Sequence, residues 1–159
     1  MRAKPLLLVL TVIAALNLAL TSWVALDLRE LKTHNSPLPA ELSDSKRDAI
    51  FEGVKKLYNA KDYDGLYAIF SPEVQTQLPK TKFIDTMHTM ESTFGNMEGG
   101  VYSSHELAGN QRGKSFYNLF YTVGIPKCSI SSKGSLKITV MVADGKVEIY
   151  GVYLFAVTQ

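Results

Sequence analysis

The chain has 159 residues, 46% of them apolar and 20% charged, with 17 basic and 15 acidic side chains and a single cysteine, Cys128. That length provides for one ordinary domain. Without Arg2 and Lys4 the charges balance, and a neutral body lacking a Lys/Arg cluster is a poor match for nucleic-acid binding, which rests on phosphate neutralisation, while one cysteine excludes an internal disulfide, a cysteine zinc site and an iron–sulfur cluster.

From the N-terminus, residues 6–26, LLLVLTVIAALNLALTSWVAL, run without a charge. As a helix they reach about 31 Å, the thickness of a bilayer's hydrocarbon core. Leu6 and Val12 lie in the first half, Leu20 and Leu26 in the second, and Trp23 falls near the distal end, where an indole prefers the interface. Thr11, Thr21 and Ser22 can bond back to the helix, and Asn17 can meet a partner helix. Arg2, Lys4 and the amino terminus precede the run, whereas Asp27, Arg29, Glu30 and Lys32 after it sum to zero. The positive-inside rule therefore predicts a cytoplasmic N-terminus and a domain beyond the inner membrane. A cleaved signal peptide is the competing reading. Its apolar core is shorter and ends in a small-x-small site, which Ala19-Leu20-Thr21 matches poorly. Both readings export the domain. The predicted division is a cytoplasmic tip and transmembrane helix over 1–28, a linker over 29–42 with Pro37 and Pro39, and an exported domain over 43–159.

Ser43 or Ser45 is expected to cap the first exported helix, whose Ile50, Phe51, Val54, Leu57 and Tyr58 share one face. A short second helix begins near Asp64 with Leu66, Ile69 and Phe70 inward, and Ser71-Pro72-Glu73 restarts a helical turn. Thr81 is expected to cap a third helix that ends at Phe94, with Gly95 as its stop. Phe83, Met87, Met90 and Phe94 form the apolar arc of that helix, with Ile84 at its margin. Glu91 falls between Met87 and Ile84 and is expected to be at least half buried, with a polar partner or a raised pKa.

After Gly95 the period changes to 2. Residues 100–107 read as a first strand with its turn between Gly109 and Gly113, 115–125 as a second, and 136–142 as a third with one wet face. Asp144-Gly145 reads as a two-residue hairpin turn before a last strand over 147–158. The predicted class is α+β: a transmembrane helix, then a cone of about three helices packed on a curved four-stranded, mainly antiparallel sheet.

The segments YNAKDYDGLYAIFSPEV (58–74), TFG (93–95) and LKITVMVADGKVEIYGVYLF (136–155), in this order of elements, resemble the nuclear transport factor 2-like superfamily, the cystatin-like cone, and its small bacterial membrane-anchored members. The resemblance covers residues 43–158. It implies a cone whose sheet face often pairs two chains. That superfamily includes enzymes, ligand carriers and oligomerising scaffolds, so no activity is implied, and no catalytic motif carries across.

His88 and Glu91, three apart on the third helix, have the spacing of a general base with its orienter or of two metal ligands; Asp85, about 120° from Glu91, cannot join them. The alternative is an exposed helical polar pair. His34 and His105 have no partner visible in the sequence. Tyr58 and Tyr67 lie on helix faces, and Tyr117 and Tyr121 share a strand face. With Glu91 and His88 they would line a pocket for a small amphipathic ligand in an open cone, or fill a closed one with their hydroxyls at the rim. Cys128 reads as a small apolar filler beside a turn. No catalytic residue, metal site or cofactor is expected.

The function these features predict is a non-enzymatic, single-pass binding module of the bacterial envelope. Its partners would be the membrane and either an envelope protein or a second copy. The latter would bind whichever aromatic set of the second and last strands faces away from the helices. The alternatives are a small-ligand carrier or enzyme using Glu91, His88 and the tyrosines, and a structural subunit of a larger membrane complex.

Overall fold

Four α-helices precede a four-stranded sheet in the computed structural model, which describes residues 37–157. The expected membrane helix lies outside the described residues, among which no helix is long and apolar enough to cross a membrane. A 3-10 turn at Ala40–Leu42 leads into α1 (Asp44–Asn59), α2 (Tyr63–Ala68), α3 (Pro72–Gln77) and α4 (Lys80–Phe94). The strands are β1 (Glu98–Gln111), β2 (Lys114–Gly124), β3 (Lys133–Ala143) and β4 (Lys146–Ala156), in the order β1-β2-β3-β4 with every neighbour antiparallel. The α+β class and the antiparallel sheet agree with the sequence. The turn restarted at Ser71 is a helix of its own, so there are four helices where about three were expected.

Local chemistry explains most boundaries. The spacing of Phe51, Val54 and Tyr58 buries one face of α1. The Asp62 carboxylate accepts from the Gly65 amide at 2.8 Å and caps α2, and the buried Ser71 hydroxyl accepts from the Val74 amide at 3.2 Å and caps α3. Ser43 holds the N-cap position of α1 as expected but makes no side-chain cap bond, its Oγ facing Ser45 Oγ at 3.3 Å, and Thr81 is not a cap. Thr81 lies inside α4, because Pro79, with φ fixed at −57°, already supplies the carbonyl that accepts from the Phe83 amide. Ile69, expected inward, is 38% exposed. At that point α2 has ended, and the chain turns to lay Phe70 and Ser71 along β4, where the Ser71 amide donates to the Ile149 carbonyl at 2.9 Å.

The β1–β2 turn also differs from expectation. A register shift between Leu107 and Gly109 absorbs that glycine into β1, so the strand runs on to Gln111 and turns at Arg112-Gly113. The Asp144-Gly145 turn stands as expected, both residues having positive φ (50° and 71°), the backbone a two-residue hairpin requires.

Register fixes which face meets the helices. Tyr117, Leu119, Tyr121 and Val123 of β2 lie beside Leu136, Ile138 and Val140 of β3. One extra residue in β4, Tyr150, keeps Ile149, Val152 and Leu154 on that side. These residues form one core with Leu42, Phe51, Val54, Tyr58, Leu66, Phe83 and Met87. Phe116, Asn118 and Phe120, with Lys137, Thr139, Met141, Tyr153 and Phe155, point the other way. The face of β3 expected to be wet is not uniformly so, since Met141 is buried on it.

Candidate functional site

Two regions hold the residues of interest. The first lies where the end of α1, the start of α2, α4 and the loop after β2 meet. Glu91 projects from α4 between Lys61 and Lys127, whose Nζ atoms stand 3.3 and 3.6 Å from Oε1. Its side chain is 22% exposed, as its place on the helical wheel predicts. A polar partner, and not a raised pKa, accounts for that burial. Hydrogen bonding from Lys61, ahead of the nearby Lys127 charge, holds the carboxyl below the ordinary range despite desolvation.

His88 is exposed and turns its ring edge-on to Tyr63, centroids 5.0 Å apart. No hydrogen bond joins it to Glu91 among the described residues, so base and orienter are not assembled. Asp85 is exposed. Among the described residues no group of three or more His, Cys, Asp or Glu side chains is placed to hold a metal ion.

The four tyrosines singled out by sequence belong to the core or its margin. Tyr58 and Tyr121 are almost fully buried, and burial raises both phenol pKa values. Tyr121 stacks on Phe51 at 4.6 Å and donates its hydroxyl to the Arg47 carbonyl at 3.0 Å. The Tyr67 hydroxyl reaches the carbonyls of Gln75 and Leu78 at 2.8 and 2.7 Å and fastens the end of α3. Tyr117 is a buried core residue on β2. A shallow open groove elsewhere is lined by Glu41, Lys46, Gly145, Lys146, Val147 and Glu148, none of them a candidate. Cys128 is a half-buried free thiol packed against the core.

The second region is the outer face of the sheet. A row of hydrogen bonds crosses three strands at its middle: Asn118 Nδ2 donates to Glu106 Oε1 at 2.7 Å, and Thr139 Oγ1 donates to Asn118 Oδ1 at 2.7 Å. On one side of this row lie Phe116 and Met141, paired across β2 and β3. On the other lie Phe120, Lys137 and Tyr153, paired across β2, β3 and β4. The Tyr153 ring lies over Gly151, where a Cβ would come within 2.8 Å of it, and Lys137 Nζ sits 4.6 Å from the ring centroid. Beyond them Phe155 is 42% exposed.

The sheet's edges are guarded. β4 is flanked by Phe70 and Ser71, and β1 carries three register shifts, which spoil a flat template for edge pairing. A further cluster escaped the sequence reading: Tyr102 Oη and His105 Nδ1 are 2.6 Å apart, with the Arg47 guanidinium 4.2 Å above the Tyr102 ring. The polar row joins residues of three strands, Arg47 and Tyr102 join a helix to a strand, and a register shift in β1 separates Tyr102 from His105, so alternation within one segment reveals none of them.

No family model matches the chain, and no curated protein matches it.

Proposed function

We propose that the chain is a single-pass, membrane-anchored, non-enzymatic binding module of the bacterial cell envelope, with a cytoplasmic N-terminus and an extracytoplasmic domain of the nuclear transport factor 2-like class. The charge-free run 6–26 and the flanking charges support the anchor. The order of helices followed by four antiparallel strands supports the class. One observation carries the binding role. The helices pack on one face of the sheet, while the other presents Phe116, Phe120, Tyr153 and Phe155 around a polar row. Rings around a few satisfied polar groups are the make-up of protein contact surfaces. The partner is a second copy or another envelope protein docked there. An enzyme or ligand carrier built on Glu91 has less support, since His88 is turned to Tyr63 and Glu91 to two lysines.

A photo-crosslinking residue at Phe155, with one at the exposed Lys56 of α1 as control, tests the docking face in intact cells. Adducts from position 155 alone are expected, at twice the chain mass for a second copy and at another mass for a different partner. No adduct, or equal yield from position 56, rejects the docking face. A phosphatase fused after Gln159 tests topology separately and should be active.

A further inference from the structure

Tyr58, near the end of α1, and Tyr63, at the start of α2, are 1% and 4% exposed, and neither hydroxyl has a hydrogen-bond partner among the described residues. Native interiors rarely leave such groups unbonded, because a buried hydroxyl stripped of water forfeits the bonds it makes in the unfolded chain. The two rings lie side by side, centroids 6.4 Å apart and inclined at 51°. His88 closes over the Tyr63 ring. Lys61, in the turn between the two tyrosines, holds the Glu91 carboxylate at 3.3 Å, and Lys127 reaches the same oxygen at 3.6 Å. The Glu91 charge is felt at both phenols, adding to the effect of burial in raising their pKa values.

This corner holds two buried hydroxyl donors without acceptors and, on α4, a carboxylate, which only accepts. A water molecule matches that inventory, since it accepts from two phenols and donates to one carboxylate, within the two to four bonds buried waters make. We infer that a buried water bridges Tyr58 Oη, Tyr63 Oη and the Glu91 carboxylate, so that the Lys61–Glu91–Lys127 ion pairs close over a hydrated site that joins α1, α2 and α4. The site is independent of any partner on the sheet face. It makes Glu91 a structural acceptor.

Tyr58→Phe, Tyr63→Phe and the double variant, in the full chain held in mild detergent, test this. Each keeps the ring and deletes one hydroxyl. Each single change should lower the folding equilibrium constant about five- to tenfold, and the double change by less than the product, because one water serves both groups. In the unaltered protein both hydroxyl protons should show a nuclear Overhauser contact to a long-lived water. Phe variants as stable as the parent, or more so, would mean that the hydroxyls are unbonded and would overturn the inference. Destabilised variants whose parent shows no water contact would mean a direct phenol–carboxylate bond and would overturn it equally.

Discussion

The two faces of the sheet are made from the same strands and both are rich in aromatic rings, yet they are built differently. Along β2, Tyr117, Leu119, Tyr121 and Val123 are all buried, whereas the alternating Phe116, Asn118 and Phe120 are partly buried and Thr122 is exposed. Composition does not separate the sets; neighbours do. On the inner face Tyr117, Leu119 and Tyr121 lie opposite Val140, Ile138 and Leu136 of β3, and the Tyr121 hydroxyl is led out to a backbone carbonyl of α1. On the outer face a satisfied polar row runs between apolar ones, with a lysine beside Tyr153. The inner face is filled with apolar side chains and rings, the polar end of Tyr121 led out to the backbone, whereas the outer face alternates rings with polar groups bonded to one another.

The sharpest way to break that distinction is to remove volume from each face. Leu119→Ala, at a fully buried position between Tyr117 and Tyr121, should cost about 3 kcal/mol in chemical denaturation, by lost transfer energy and the cavity left behind. Phe120→Ser, one residue away on the outer face, should cost about 1 kcal/mol or less. Similar costs would mean that both faces are core.

Gly100→Ala probes the join between the inner layer and α1. Gly100 has φ +138°, and a Cβ there would run into the Phe51 ring, which is stacked on Tyr121. Backbone strain and a displaced core ring together should cost about 2–3 kcal/mol. Gly99→Ala is the control. With φ +60° and nothing within 4 Å of its Cβ, it should show the backbone cost alone, about 1 kcal/mol.

The pH response separates the core phenols from the peripheral carboxylates. Tyr58 and Tyr121 have pKa values raised by burial above their unfolded value of about 10. Their neutral forms favour the fold, so that stability is complete below pH about 10 and is lost as pH rises beyond it. Glu73 and Glu91 are lowered, Glu73 by hydrogen bonds from Lys114 and Tyr150 and Glu91 by Lys61. Their contribution is present above the unfolded carboxylate pKa of about 4.3 and disappears as pH falls through the folded values. Denaturation midpoints from pH 3 to 11 should therefore fall at both ends. Glu91→Gln should flatten the acid limb and, because the Glu91 charge also helps raise Tyr58, make the alkaline limb slightly shallower.

How much of this the sequence disclosed follows from range. Helix and strand positions repeat every few residues, so Phe51, Val54 and Tyr58, or Leu136, Ile138 and Val140, announced their elements. Glu91 was legible as a carboxylate in an apolar arc, because helical projection is local. Its partners Lys61 and Lys127 were not, since tertiary packing alone brings the α1–α2 turn and the β2–β3 loop together. Tyr63 is not marked by the sequence, because a helix of six residues has too little periodicity to single it out. The extent of β1 is not legible in the sequence, because the bulge at Ala108, just before Gly109, looks there like a turn. The polar row needed the register of three strands, which alternation within one strand cannot supply.

That row yields the prediction with the smallest expected effect on folding. Thr139→Val keeps the shape and removes the hydroxyl that donates to Asn118 Oδ1. In the isolated domain water can take up the acceptor, so stability should change by less than about 1 kcal/mol. When a partner covers the face, the same acceptor is cut off from water without a donor, and crosslinking from position 155 should fall about fivefold. Binding and folding would then part company at one methyl-for-hydroxyl exchange. Crosslinking that rises, as a more apolar face would produce if the row lay outside the contact, would place the docking surface on the rings at the Phe155 end alone.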